Sequence, residues 1–384
     1  MAITIVLILL TTWLGAVAVA QKINITILHN ATTQGAVCLD GSPPAYYFDR
    51  GFDAGVSNWI IYLQGGGWCE NLNDCHYRTF QPAGSSKLMQ GKTQFGGILN
   101  NTPQYNPDFY NWNRVWVNYC DGSSFTGDVE DVDPGNKLYF RGARILKAVL
   151  QDLSLKGLQN AKNAILSGSS AGGLATILNC DKFKAFFSND SIKVKCVASA
   201  GFFININTIS GAPNIQKMYQ NVEDLHGSVK NLPMSCTSKM EPSLCFFPQH
   251  VVPNVETPLF IFNSAYDSWQ INNSLIPSDL DPQHVWDQCK NQINSCTFSQ
   301  RTIIKDFGVE FMKAFGGGTP SSTRGYFITS CHIHQDIIWD KYWFDTSGPT
   351  IYNKTIAEAV GDWFFDRTGN HQHIDPYPFA RDCY

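Results

Sequence analysis

The stretch ILSGSSAGG, residues 165–173, runs from apolar residues into serines that are crowded between glycines. Two interpretations are open: a flexible loop in which Ser169 or Ser170 only caps a helix, or a sharp strand-to-helix turn that presents Ser170 as a nucleophile. Residues 168–172 match the pattern G-x-S-x-G, in which small residues let a strand and a helix approach closely. Because an apolar run precedes the turn and a helix-period segment follows it, the pattern favours the nucleophile.

The rest of the chain alternates short strand-like runs with segments of helical period. The predicted strands are residues 23–28, 59–63, 115–119, 164–167, 194–199, 258–263 and 325–329. Apolar residues recur at helical spacing within residues 138–157, 171–187 and 355–367. This alternation predicts an α/β fold with a mostly parallel central sheet flanked by helices. Two regions rich in Gly, Pro, Asn and Cys, residues 68–112 and 202–255, are predicted to be long insertions pinned by disulfides.

The bulk composition indicates one large globular domain. The chain has 384 residues, of which 43% are hydrophobic and 16% charged, so a large core can form. We see no linker or repeat, and we therefore expect a single catalytic domain over residues 21–384. We also expect the protein to act as a monomer. The net charge of −4 argues against nucleic acid as a partner, since such partners usually require a basic face.

The N-terminus is typical of a secretory signal. Residues 1–20 carry no charged side chain and end in small residues, which predicts cleavage after Ala18 or Ala20. The alternative is an uncleaved membrane anchor, since the run is about as long as a spanning helix. After cleavage we expect no membrane association.

The cysteines and glycosylation motifs also indicate an extracellular protein. All twelve cysteines follow the predicted signal, which allows six disulfides. The closest pairs along the chain are Cys69/Cys75, Cys236/Cys245 and Cys289/Cys296. Six N-x-S/T motifs begin at Asn24, Asn30, Asn100, Asn189, Asn272 and Asn353.

A serine nucleophile needs an oxyanion hole, an acid and a base. Gly65, Gly66 and Gly67 follow the strand at 59–63 and are typical of the glycine-rich loop that supplies oxyanion donors. Asp267 follows the strand at 258–263, although a lone aspartate in a loop is more often a solvated cap. His332 and His334 follow the last predicted strand, and the spacing does not choose between them. The chain order is therefore Ser, Asp, His, as in α/β-hydrolases.

Two H-x-H pairs offer an alternative, metal-based interpretation. On a strand, alternate residues share a face, so His332 with His334, or His371 with His373, could bind a metal. No H-E-x-x-H motif or acidic cluster accompanies either pair in the sequence. We expect His371 and His373 to lie solvated in a polar tail, and we predict no metal and no cofactor.

Several longer motifs resemble those of the plant pectin acetylesterases. They are GAVCLDGSPPAYYFDRGF (35–52), GGGWCENLNDC (65–75), GSSAGGLATILNCD (168–181), NSAYDSWQ (263–270) and AVGDWFFDR (359–367). The resemblance covers nearly everything from Gly35 to Arg367, and the chain is also similar to the animal carboxylesterase Notum. It implies an α/β-hydrolase that removes O-acetyl groups from pectin in the plant cell wall.

The resemblance also implies roles for single residues. The family's nucleophile matches Ser170, its acid Asp267 and its base His334, the last residue of an S-C-x-x-H pattern. The implied oxyanion donors are the backbone N–H groups of Gly66, Gly67, Trp68 and Ala171. This chain departs from the family at three positions: relatives usually have Glu at 64, where it has Gln64, and often have Cys in place of Ser169 and Gln335.

The resemblance therefore predicts a secreted serine carboxylesterase that acts on acetylated pectin through an acetyl-enzyme. Two alternatives remain at this stage. One is a Notum-like deacylase of lipidated protein, which needs a deep apolar acyl pocket. The other is a non-catalytic protein that binds cell-wall polysaccharide.

Overall fold

The computed structural model describes residues 22–316, 323–346 and 348–383. Ten strands in these residues form one sheet: β1 (Ile23–Ile27), β2 (Ala45–Asp49), β3 (Asn58–Leu63), β4 (Lys92–Thr93), β5 (Asn113–Val117), β6 (Asn163–Ser169), β7 (Lys193–Ser199), β8 (Leu259–Ser264), β9 (Arg324–Thr329) and β10 (Gln372–Ile374). Their order across the sheet is β10-β9-β8-β7-β6-β3-β5-β2-β1-β4.

The sheet is parallel from β10 to β5 and antiparallel from there to the β4 edge. All seven strands predicted from the sequence form, each with ends within two residues of the prediction. Strands β2, β4 and β10 were not predicted. The mostly parallel sheet itself is confirmed.

Helices connect the strands and cover both faces of the sheet. The α-helices in the described residues are α1 (Leu72–Arg78), α2 (Gly142–Leu155), α3 (Ala171–Ala185), α4 (Asn214–His226), α5 (Met234–Thr237), α6 (Pro248–Val251), α7 (Ser268–Gln270), α8 (Asp287–Asn291), α9 (Phe298–Phe315), α10 (Asp340–Trp343) and α11 (Ile356–Phe364). Helix α11 begins at a capping box in which Thr355 and Glu358 satisfy each other's backbone N–H groups.

The two larger clusters of the core form apolar layers, one on each face of the sheet. Successive side chains of β3 alternate between them: Trp59 and Ile61 belong to the layer that includes helices α2, α3 and α9, whereas Ile60 and Tyr62 belong to the layer that includes α11. Because side chains of a strand point alternately to opposite faces, a sheet covered on both sides reads as a continuous apolar run. This explains why the central strands were visible in the sequence.

Six disulfides join all twelve cysteines: Cys38–Cys120, Cys69–Cys75, Cys180–Cys196, Cys236–Cys245, Cys289–Cys296 and Cys331–Cys383. The three pairs that are closest along the chain are among them, and the connectivity as a whole was left open by the sequence. The region between β3 and β5 and the region between β7 and β8 each contain one of them, as expected for insertions pinned by disulfides.

The C-terminal histidines correct one prediction. His373 lies in β10, pairs with Phe327 of β9 and is only 5% exposed, whereas a solvated position was expected. A segment of three residues, two of them polar, is too short to give a strand signal of its own, and the pairing with β9 creates the strand. His371 is partly exposed.

The predicted signal peptide, residues 1–20, lies outside the described residues. In the part of the chain that the structure describes, no helix has the length and apolar character that crossing a bilayer requires.

Candidate active site

The serine turn has the backbone of a nucleophile elbow. Ser170 lies between β6 and α3 with φ 57° and ψ −126°. This backbone conformation is energetically unfavourable for any residue other than glycine. Its N–H donates to the carbonyl of Ser199 at 2.9 Å, which holds the turn against β7. Its side chain forms no capping hydrogen bond with α3. The alternative in which Ser170 only caps the helix is therefore not supported.

Strand and helix approach at this turn as closely as its small residues allow. A Cβ atom on Gly172 would lie 2.0 Å from the carbonyl oxygen of Leu63, so only glycine fits there. A Cβ atom on Gly65 would lie 2.9 Å from Cβ of Ser170. The glycine-rich loop that follows β3 therefore lies directly against the serine.

The carbonyl groups of the glycine-rich loop accept hydrogen bonds from neighbouring side chains, whereas its N–H groups have no hydrogen-bond partner among the described residues. Gly66 O accepts a hydrogen bond from Nη2 of Arg78 at 2.7 Å, and Gly67 O accepts one from the hydroxyl of Tyr119 at 2.8 Å. The N–H groups of Gly66, Gly67 and Trp68 donate no hydrogen bond to any residue that the structure describes. With φ of +67°, Gly67 has a left-handed backbone that favours glycine.

The predicted donor Ala171 is the first residue of α3, where backbone N–H groups have no partner within the helix. All four predicted oxyanion donors thus belong to two segments that meet at Ser170. Gln64 supports them, because its Oε1 accepts the N–H of Tyr119 at 3.1 Å. An amide oxygen serves this purpose without a charge, so the Glu-to-Gln difference leaves an acceptor at this position.

The predicted acid and base come from the ends of β8 and β9. Oδ2 of Asp267 lies 2.8 Å from Nδ1 of His334, and Oδ1 accepts the N–H of Gln270 at 3.0 Å. Asp267 is fully buried, and the side chain of His334 is 22% exposed. Nε2 of His334 is buried and forms no hydrogen bond with a described residue. An Nδ1–H that donates to Asp267 leaves the lone pair on Nε2, as a general base requires.

Electrostatics favour the protonated form of this imidazole. Burial lowers the pKa of His334, but the charge and hydrogen bond of Asp267, with a smaller contribution from Asp336, outweigh it and raise the pKa above 6.5. Burial lowers the pKa of His332. His332 forms no hydrogen bond with Asp267, so the geometry pairs the acid with His334.

A second carboxylate lies beside the base and was not singled out from the sequence. Asp336 accepts hydrogen bonds from Ser169 Oγ at 2.5 Å and from the hydroxyl of Tyr62 at 2.8 Å. Its only local signal is its position two residues after His334. The partners come from β3 and β6, which lie far away in sequence.

Aromatic rings occupy the space beside the glycine-rich loop and the base. The ring of Trp68 packs edge-on against Phe203, Tyr219 and Trp269, with centroids 5.0, 5.2 and 5.4 Å away. The rings of Phe203 and Trp269 lie 6.2 and 6.4 Å from the imidazole of His334. We call Trp68, Phe203, Tyr219 and Trp269 the aromatic cluster. The aromatic cluster thus extends from the glycine-rich loop, through Trp68, to the imidazole of His334.

A parallel sheet with a serine at a strand-to-helix turn and a glycine-rich loop on the neighbouring strand defines an α/β-hydrolase. A solved structure, that of the Wnt deacylase Notum from Drosophila, is similar in fold. Its TM-score is 0.77, and the alignment covers 94% of this chain and 98% of that one at 24% identity. The α/β-hydrolase fold expected from the sequence is confirmed.

The sequence comparisons identify the family. Residues 17–384 match the family model described as Pectinacetylesterase. Pectin acetylesterase 7 of Arabidopsis thaliana is 50% identical over 353 residues, which cover 92% of this chain and 90% of that protein. Pectin acetylesterase 11 of the same plant is 49% identical over 356 residues, or 93% and 90% of the two chains. The chain belongs to the pectinacetylesterase family and is an esterase, as the resemblance implied.

Proposed function

We propose that this protein is a secreted serine esterase that removes O-acetyl groups from pectin, with Ser170 as nucleophile, His334 as base and Asp267 as the acid that orients the base. One observation carries the proposal. The paired carboxylate and imidazole stand at the same sheet edge as a serine in a strained strand-to-helix turn. The names of the similar pectin acetylesterases support the choice of substrate.

The first half of the proposed reaction acylates the enzyme. Nε2 of His334 takes the proton from Oγ of Ser170 as Oγ attacks the ester carbonyl carbon. The backbone N–H groups of Gly66, Gly67, Trp68 and Ala171 stabilise the resulting oxyanion. The bond from the carbonyl carbon to the sugar oxygen then breaks, and Nε2–H protonates that oxygen. The galacturonate unit leaves with a free hydroxyl.

The second half releases acetate. A water molecule gives a proton to Nε2 of His334 and attacks the acetyl carbonyl, and the same donors hold the second oxyanion. Collapse breaks the bond to Oγ, which regains its proton from Nε2–H. Asp267 stays ionised throughout and stabilises the imidazolium that forms in each half. Every step uses groups of this chain, so we expect chelators to leave the rate unchanged.

The aromatic cluster favours a short acyl group. Trp68 is only 8% exposed and Phe203 is fully buried, so their rings fill volume that a long acyl chain would need. An acetyl group requires little space beyond its methyl. This observation supports the acetyl ester over the long acyl chain that a Notum-like deacylase would bind.

Release to the cell wall is the proposed location. Six disulfides are typical of proteins that fold in an oxidising compartment. The uncharged N-terminal stretch and the N-x-S/T motifs point the same way. We further propose that the protein acts as a monomer on the polysaccharide.

Acetate release from acetylated pectin by the wild type and by Ser170→Ala tests the proposal. We expect the variant to lose several orders of magnitude in kcat while remaining folded. Model esters with acetyl and octanoyl groups form the second arm, and acetyl should be preferred. A preference for octanoyl would indicate a lipid deacylase, and retention on pectin without acetate release would indicate a binding protein. Either result would overturn the proposal.

A further inference from the structure

The loop that carries the base is fastened to the strand that carries the nucleophile by the carboxylate of Asp336. Oδ1 accepts hydrogen bonds from Oγ of Ser169 at 2.5 Å and from the N–H of Ile338 at 3.1 Å. The hydroxyl of Tyr62 lies 2.8 Å from Oδ1 and 2.9 Å from Oδ2. Ser169 is 1% exposed and Tyr62 is fully buried, so both donors are held by the core.

These contacts link the two reacting side chains through very few bonds. Ser169 directly precedes Ser170, and Asp336 is two residues beyond His334. One further hydrogen bond joins the loop that carries the base to the middle of the sheet. Oγ of Ser199, the last residue of β7, donates to the carbonyl of Gln335 at 3.2 Å. The position of the base relative to the nucleophile therefore depends on these hydrogen bonds.

No disulfide joins the loop that carries the base to the strand that carries the nucleophile. Cys331, at the start of the same loop, pairs with Cys383 of the C-terminal segment, and Cys180 of α3 pairs with Cys196 of β7. Every cysteine of the chain is accounted for by the six pairs. The base loop is thus bonded covalently to the C-terminus and only through hydrogen bonds to the nucleophile strand.

We propose that Asp336 is a positioning residue for the esterase reaction: its carboxylate sets the distance between Ser170 and His334 and places a second negative charge beside the imidazole. The inference rests on the proposed function for the roles of these two residues. A misplacement of about 1 Å at reacting groups can lower a rate by about 100-fold, so a tie of this kind affects turnover more than binding.

The charge of Asp336 also acts on the base. It contributes to the raised pKa of His334, after the larger contribution of Asp267. Burial raises the pKa of Asp336 itself, while its hydrogen bonds and the charge of His334 act in the opposite direction. The other ionisable group that contacts it is Tyr62, and burial raises the pKa of that phenol well above its usual value of 10.

Three variants separate position from charge. Asp336→Ala removes both the hydrogen bonds and the charge, and Asp336→Asn keeps an acceptor for Ser169 but removes the charge. Ser169→Ala removes one hydrogen bond and keeps the charge. Asp340→Asn is the matched control, because this carboxylate belongs to the same segment and contacts neither Ser169 nor Tyr62.

The measurements are kcat, KM and the pH profile of kcat/KM on a small acetyl ester, with melting temperature as the check on folding. We expect Asp336→Ala to lower kcat by about 10- to 100-fold with KM changed by less than about threefold. Asp336→Asn should move the acid limb of the profile to lower pH, since the imidazole loses a neighbouring negative charge. Ser169→Ala should lower kcat less and leave the limb in place. Asp340→Asn should change neither.

The inference is overturned if both Asp336 variants keep the wild-type kcat and acid limb. It is also overturned if Asp336→Asn lowers activity only in proportion to a loss of folded protein, with an unshifted profile. Ser170→Ala, assayed in parallel, reports on the proposed function separately. If Ser170→Ala remains active, the nucleophile is wrong whatever Asp336 does.

Discussion

Nδ1 of His334 faces Oδ2 of Asp267 at 2.8 Å, while Oδ1 of the same carboxylate is held by the N–H of Gln270. The two oxygens of Asp267 thus have separate tasks. One holds the carboxylate at the start of α7, and the other faces the imidazole. In the proposed mechanism this second oxygen orients the base.

Replacing Asp267 by asparagine should therefore disable the base while keeping its shape. The new amide can present N–H to Nδ1, which favours the tautomer with the proton on Nε2 and removes the lone pair. We expect kcat on acetyl esters to fall by about 10⁴-fold with little change in melting temperature. Asp382→Asn is a suitable control, since that carboxylate contacts Asn294. Substantial activity in Asp267→Asn would exclude Asp267 as the orienting acid.

The pH profile should report the raised pKa of His334. The reaction needs the neutral imidazole, and Asp267 and Asp336 stabilise the protonated form despite burial. Activity is therefore lost as the pH falls through the raised pKa, and the midpoint of the acid limb of kcat/KM should lie above 6.5. Initial rates on a small acetyl ester between pH 4 and 9 measure it. A limb centred below pH 6 would contradict the assignment of the base.

The sequence predicted the elements of this fold whose stability comes from burial in the core. Strands such as β3 and β8 are continuous apolar runs because helices cover both faces of the sheet. The positions of Ser170 and Asp267 followed from them, and so did the pair His332 and His334, since each comes just after a strand of the parallel sheet. The choice of His334 over His332 came from the family resemblance. Of these assignments, the turn at Ser170 and the pairing of Asp267 with His334 have the expected geometry, and their roles remain predictions.

What the sequence did not predict depends on contacts between distant segments. The tie between Ser169 and Asp336 spans 167 residues, and neither residue type signals it. The disulfide Cys38–Cys120 closes a separation of 82 residues, whereas Cys69–Cys75 closes one of 6 and stood out only as a close pair of cysteines. Strand β10 exists only because β9 offers an edge to it. The sequence pattern around a residue does not indicate which distant segment it will contact.

The close approach at the nucleophile turn predicts a strong effect of a single methyl group. In Gly172→Ala the added Cβ would stand 2.0 Å from the carbonyl oxygen of Leu63. The strand or the helix must shift, at a cost of about 1–3 kcal/mol or more, and the serine shifts with them. We expect a lower melting temperature together with a loss of kcat. Gly91→Ala, where the new Cβ meets nothing within 4 Å, should be close to neutral. Equal stability of the two variants would refute this account of the turn.

The aromatic cluster predicts how acyl preference can be changed. Trp269 is partly exposed and packs against Trp68 and Phe203, so Trp269→Ala should open space beside the base at a moderate cost in stability. Each methylene buried in that space contributes about 0.8 kcal/mol, so the ratio of octanoyl to acetyl kcat/KM should rise at least about tenfold. Trp339→Ala, at a ring that is 59% exposed, is the control. An unchanged ratio would show that the cluster does not limit acyl length.

The proposed triad should act as one unit. Ser170→Ala and His334→Ala should each abolish nearly all turnover, since attack on the ester needs both the oxygen and its base. The double variant should then be little worse than either single one, and the small remaining rate should come from the oxyanion donors. His332→Ala should be mild, because His332 forms no hydrogen bond with Asp267. The test is a double-mutant cycle on kcat for acetate release, with circular dichroism to verify folding. Fully additive losses, or a His332→Ala variant as inactive as His334→Ala, would show that the base has been assigned to the wrong histidine.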